Sequence, residues 1–174
     1  MTRLLALIGL VVAIATPVLA DSAADIFGGF QSKSKDPIQV DAATLETYEE
    51  GTQRISVFSG GVTVKRGNTL MKAGTIKLSS NIDASAANAF TRIEASDKIY
   101  VTSADQTVTG QTAVVDMKTN TITVSGGVVL AQGANVITGS RLVVNLATGR
   151  ARVEQEAGKQ IRGVFSPGGT STGQ

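Results

Sequence analysis

Any catalysis in this chain would have to be done by carboxylates, because the sequence contains no histidine and no cysteine. That removes the usual general base, the usual zinc ligands and the thiol nucleophile together. Serines are plentiful, but none has an imidazole to activate it and no motif points to a Ser-Lys pair. Glu49, Glu50, Asp97, Asp105 and Asp116 fall at turns or on the outward side of alternating segments. A solvated surface role is expected there, not the facing pair of a glycosidase. Pro167-Gly168-Gly169-Thr170 resembles a phosphate-binding loop in composition only, since it lacks the Gly-Lys-Ser/Thr ending and a following helix. No catalytic, cofactor or metal site is expected, and binding or structure becomes the leading class.

The elements that would carry a binding surface are read from residues 121–153, TITVSGGVVLAQGANVITGSRLVVNLATGRARV. Four short runs, at Ile122-Val124, Val128-Leu130, Val136 to Thr138 and Leu142-Val144-Leu146, lie between glycine turns, and Arg150 to Val153 starts a fifth. Apolar residues two apart predict antiparallel strands with one buried face. The same pattern occurs upstream. Aligning Gly60-Gly61-Val62 with Gly126-Gly127-Val128 also aligns Gly67 with Gly133, Leu70 with Val136, Ile76 with Leu142 and Leu78 with Val144. A looser copy, TVTGQTAVV at 107–115, sets Val108-Thr109-Gly110 against Ile137-Thr138-Gly139. The chain reads as an all-β stack of similar hairpin units.

Residues 1–20 read as a signal peptide. Met1-Thr2-Arg3 is a positive start, residues 4–15 are apolar, and Pro17 with Val18-Leu19-Ala20 supplies a break and a cleavage site. The apolar run is shorter than the roughly 20 residues that span a bilayer, so cleavage and export are expected. Loss of Arg3 leaves 15 Lys and Arg against 14 Asp and Glu, a net +1, which gives no footprint for nucleic acid. Without cysteine, the fold must rest on its core and its backbone ladders.

Residues 21–36 (DSAADIFGGFQSKSKD) are expected to be a flexible leader, with Ile26, Phe27 and Phe30 as its few apolar residues. The ordered body is expected over 37–165, with Pro37 at the start of an edge strand. Residues 81–90 (NIDASAANAF) break the alternation and predict a longer loop or a single helical turn, a last strand is expected around 161–165, and 166–174 form a tail.

With only seven aromatic residues (five Phe, two Tyr), the interior must be filled by Ile, Val, Leu, Ala and Thr. Such a set makes either a closed, packed core or, if two sheets splay, a greasy trough for acyl chains. Alternation does not choose between them. An outer-membrane barrel would need strands of roughly 9 to 11 residues and aromatic girdles, and the runs here are about half that length.

GGVVLAQGANVITGSRLVVNLATGRARV, with the upstream DPIQVDAATLE and FSGGVTVKRGNTLMKAG, resembles the OstA-like family of lipopolysaccharide-transport proteins over residues 37–164. Within that family the chain is most similar to the soluble periplasmic bridge component. The resemblance implies a twisted, slightly open β-jelly roll whose interior carries the lipid A acyl chains of lipopolysaccharide. It implies head-to-tail self-association and docking to inner-membrane anchored and outer-membrane OstA-like transport components, in the service of Gram-negative outer membrane assembly. Pro37-Ile38-Gln39-Val40 matches the family's start and inherits its role at the N-terminal docking edge. The groove candidates are then the inward residues Ile38, Val40, Leu45, Val62, Val64, Leu70, Ile76, Leu78, Val101, Val108, Val115, Val124, Leu130, Val136, Leu142 and Val144. The alternative function is a secreted structural β-repeat protein with a dry core.

Overall fold

The computed structural model describes residues 26–28, 36–83 and 90–166. These form twelve strands: β1 (Gln39–Asp41), β2 (Thr44–Glu50), β3 (Gln53–Arg66), β4 (Thr69–Asn81), β5 (Phe90–Ser96), β6 (Ile99–Ser103), β7 (Gln106–Gly110), β8 (Thr112–Asp116), β9 (Thr121–Gln132), β10 (Asn135–Asn145), β11 (Ala151–Glu154) and β12 (Arg162–Val164). All pairings are antiparallel. The signal peptide, most of the leader, the middle of the 81–90 loop and nearly all of the C-terminal tail lie outside the described residues.

The strands are longer than the sequence runs. β3 has 14 residues, β4 13, β9 12 and β10 11. The expected short strands fuse because Gly60-Gly61 and Gly126-Gly127 are bends within strands, not turns between them. These four glycines have φ of 85°, 82°, 87° and 68°, a backbone region that costs an L side chain about 1–2 kcal/mol. Strand length therefore does not separate this fold from a barrel. The sheet edges do: β1 and β2 pair only with β3, and β11 and β12 only with β10.

At each bend the sheet divides into two leaves. Leaf I holds β2, β5, β8 and β11 with the adjoining halves of β3, β4, β9 and β10. Leaf II holds β1, β6, β7 and β12 with the other halves. Short partners such as β5 and β6 are thus one bent strand broken at the corner, where Asp97 and Lys98 both have positive φ. This is the open β-jelly roll, with both layers cut from the same strands. Among the described residues every ladder joins neighbours within a leaf; none ties the free rim of one leaf to that of the other.

The corner sets which residues face inward. On β3, β5–β6 and β9 the inward positions flanking it lie four apart: Phe58 and Val62, Ala95 and Ile99, Val124 and Val128. On β4, β7–β8 and β10 they lie three apart: Ala73 and Ile76, Gly110 and Ala113, Gly139 and Leu142. An extra residue on one strand of each hairpin is a β-bulge, and bulges of this kind let strands turn from one sheet into another. Close approach enforces small residues along the corner. A Cβ on Gly74 would stand 2.5 Å from that of Asp97, and one on Gly126 2.6 Å from that of Gln111. The repeats read from sequence are therefore real structural units.

The inner faces of both leaves share one core. Val101, Val108, Val124, Leu142 and Val144 are fully buried within it. Ile26 and Phe27, expected in a flexible leader, belong to this core as well, at 0% and 2% exposure. The leader reading is corrected for these two: their apolar side chains find the interior left between the leaves.

Candidate functional site

Of the sixteen candidates, Val62, Val64, Ile76, Val101, Val108, Val115, Val124, Leu142 and Val144 are buried in the shared core, and Val40, Leu78 and Leu130 pack half-buried against it. The structure brings these twelve together. Leu45 sits opposite Phe58 and so shares the inner face. It is nevertheless 57% exposed, because β2 is an edge strand with no neighbour beyond it. Ile38 precedes β1 and is 49% exposed, so it is not an interior residue.

Leu70 and Val136 are on the wrong face for the same reason. Strict alternation carries Ile76 and Leu78 back to Leu70, but the three-residue step at the corner hands the interior to Ala73, Met71 and Thr69. In the matching unit, Ile137 stands opposite Leu130, while Val136 faces outward with Ala131 and Val164. Met71, Ile99, Ile122 and Val128 complete the interior. Met71 was legible only through the bulge rule, and Ile99 and Val128 follow from the four-residue step.

The inner face of leaf II ends differently from its middle. Beyond Val64, Met71, Val101, Val108 and Leu130, the next inward residues on successive strands are Arg66, Thr69, Ser103, Gln106, Gln132 and Asn135. Ladder pairing sets them side by side in that order. Thr69 and Gln106 are buried, at 2% and 8% exposure. The chain's own ends cross this row: Arg66 Nε donates to Asp36 O at 3.0 Å, Thr69 Oγ1 donates to Ile26 O at 3.4 Å, and Ser166 N donates to Asn135 Oδ1 at 3.0 Å. Gln106 Oε1 is buried and accepts no hydrogen bond. A cavity of about 390 Å³ at this tip is lined by Lys65, Gly67, Asn68, Thr69, Leu70 and Ala104.

The two ends of the roll are unlike in charge. The N-terminal edge, residues 36–50, carries Asp36, Asp41, Glu46, Glu49 and Glu50 and no Lys or Arg. The C-terminal edge, residues 150–164, carries Arg150, Arg152, Lys159 and Arg162 against Glu154 and Glu156. Both edge strands β2 and β12 are exposed along their whole length. Apolar side chains stand beside the charges, Leu45 and Tyr48 at one edge and Ile161, Val164 and Phe165 at the other.

Titration adds little. Asp116 Oδ1 accepts from the backbone N–H groups of Thr119 and Lys118 at 3.0 and 2.9 Å. The Thr119 bond in particular holds its carboxyl below the ordinary value. Lys159 does the same for Glu156. Both are surface groups at turns. Among the described residues no group of acidic side chains could hold a metal ion.

Comparison with known proteins agrees with the architecture. The roll resembles the crystal structure of LptH from Pseudomonas aeruginosa, described as the LptA-homologous periplasmic component of the conserved lipopolysaccharide transport device. The TM-score is 0.63 at 17% identity, over 79% of this chain and all of that one. An uncharacterized protein of Rhizobium meliloti (strain 1021) is 32% identical over 151 residues, covering 84% of this chain and 80% of its own length. Residues 39–150, from the first strand to the threshold of β11, match the family described as LptA/(LptD N-terminal domain) LPS transport protein. With more than half of the chain inside that match, and both bent-hairpin units within it, this protein belongs to the LptA/LptD N-terminal domain family of lipopolysaccharide-transport proteins.

Proposed function

We propose that this chain is a periplasmic lipopolysaccharide-binding protein that bridges the inner and outer membranes, binding and passing on its ligand without catalysis. The observation that carries this reading is a single apolar interior running strand by strand between two exposed edges. Acyl chains gain about 0.8 kcal/mol per buried CH₂, so an interior shared by the two leaves can hold a multi-chain lipid. The interior is closed over Val101, Val108, Val124, Leu142 and Val144. Lipid therefore enters by parting leaves whose ladders, among the described residues, meet along the corner and not at the free rims.

The edges supply the rest of the bridge. Unpaired N–H and C=O groups on β2 and β12 can pair with the next molecule. An acidic edge meeting a basic one selects head-to-tail over head-to-head contact. Such a heterologous interface propagates as an open filament, ending on OstA-like partners anchored at each membrane. In this reading the direction of transport is set by those partners.

The test is photocrosslinking to lipopolysaccharide from Val64, Leu78, Val124 and Leu142, with outward Lys77 and Val143 as controls. Crosslinks confined to the inward set are expected. Their absence in a folded protein would leave the second reading, a structural β-repeat protein with a dry core, which the tight packing favours. Ile38→Asp tests the docking edge: self-association that survives it unchanged would remove that assignment.

A further inference from the structure

The polar row at the tip of leaf II flanks three tight turns, where polar residues are ordinary, but it buries two of them, Thr69 and Gln106. Its neighbours on the same inward face are Val, Met and Leu, and an apolar residue at 106 would avoid burying an amide oxygen with no donor. A buried acceptor left unmatched is destabilising. Such a group calls for a donor.

Two strands along the same row, about 10 Å away at ordinary strand spacing, the site already has an occupant. Ile26 and Phe27 bury their side chains in the shared core, while the Ile26 carbonyl accepts the Thr69 hydroxyl. Apolar groups inward and a carbonyl on the polar row form the pattern of an acyl chain joined to a polar head through an amide or ester.

We infer that the row Thr69, Ser103, Gln106 and Gln132 is the head-group subsite for an acylated amphiphile, and that Ile26–Phe27 holds its Thr69 end in the free protein as an internal competitor. The inference rests on the lipid-binding reading above and deepens it. Gln106 Oε1 needs a donor, so the ligand it selects carries an amide N–H or a hydroxyl beside its acyl chains, as N-acylated, hydroxyacylated sugars do. A simple fatty acid, ionised at neutral pH, offers only acceptors. Entry of such a ligand displaces Ile26 and Phe27 from the interior.

Two measurements on the exported chain test this. The first compares purified lipid A with palmitate in binding to Gln106→Met. Lipid A affinity is expected to fall about tenfold, as for loss of one buried hydrogen bond, and the palmitate loss to be at least about fivefold smaller. Equal losses, or none, would overturn the subsite. The second uses the absence of native cysteine. Spin labels on Gly28→Cys, where a Cβ meets nothing within 4 Å, and on exposed Lys72→Cys report the position of the N-terminal segment while leaving Ile26 and Phe27 intact. Lipid A is expected to shift the label-to-label distance to longer values. An unchanged distance while inward residues crosslink to lipid would remove the competitor and leave the transport reading standing; failure of lipid A to bind at all would remove both.

Discussion

The two leaves are halves of the same strands, yet their inner faces finish differently. On the inner face of leaf I, Leu78, Ile93, Met117 and Leu146 pack against the core, while Ser56 opposite Leu78 and Arg54 opposite Ser80 make the β3–β4 end of that leaf polar without an unmatched buried group. Leaf II ends in the row from Arg66 to Asn135, with a buried amide oxygen that accepts nothing. In the proposed reading, the rim of leaf II receives the polar end of a ligand and the interior between the leaves receives its chains.

The comparison can be broken most directly in the core. Leu142→Ala, in leaf I at 0% exposure, is expected to destabilise the protein by about 2–5 kcal/mol. Leu130→Ala, half-buried toward the rim of leaf II, should cost clearly less; urea unfolding of both variants decides. Comparable losses would mean that leaf II is packed as tightly as leaf I out to its rim.

The shared corner comes next. Gly126→Val places a β-branched residue at φ 87° with its Cβ 2.6 Å from that of Gln111, and about 1–3 kcal/mol of strain is expected. Thermal unfolding measures it, and a wild-type midpoint would show that the corner yields easily.

A smaller effect of opposite sign belongs to Gln106→Met. Replacing an unmatched buried amide with an apolar chain of similar length is expected to leave stability unchanged or raise it by up to about 1 kcal/mol. Destabilisation would show that Gln106 serves the fold and would cancel the contrast between the leaves.

The smallest effect is at the β8–β9 turn of leaf I. The Asp116 carboxyl is held below 3.8 by the Thr119 and Lys118 N–H groups. A carboxylate whose folded value is depressed adds stability that is fully present above its unfolded value and fades as pH falls through the folded one. Protection of the Lys118 and Thr119 amides, taken relative to their intrinsic exchange at each pH, should therefore be constant from neutral pH down to about 5 and be lost only below 3.8. A loss of protection centred near neutrality would assign the turn's stability to another group.

Much of the fold was legible because alternation and glycine placement are local. The pairing of the 60–78 and 126–144 units, the edge position of β1 and the last strand near 162 were all read from spacing. The interior was legible in twelve of its sixteen assigned positions, and the exceptions share causes. Leu70 and Val136 moved to the outer face because a strand crossing the corner with a three-residue step reverses its alternation, and a period-two reading contains no such step. Leu45 and Ile38 are exposed because an end strand has only one neighbour.

The sequence by itself determined an all-β chain of repeated hairpins with an aliphatic interior and no histidine or cysteine with which to do chemistry. Those properties follow from residue type and nearest-neighbour spacing, which act before any long-range contact forms. Only the tertiary structure decided that the Gly-Gly pairs bend strands without ending them, that Ile26 and Phe27 enter the core, and that six polar residues from separate strands line up on one rim. The first and last depend on ladder register between segments distant in the chain, where a shift of one residue exchanges the two faces of a strand; the second depends on packing against an interior assembled from distant strands.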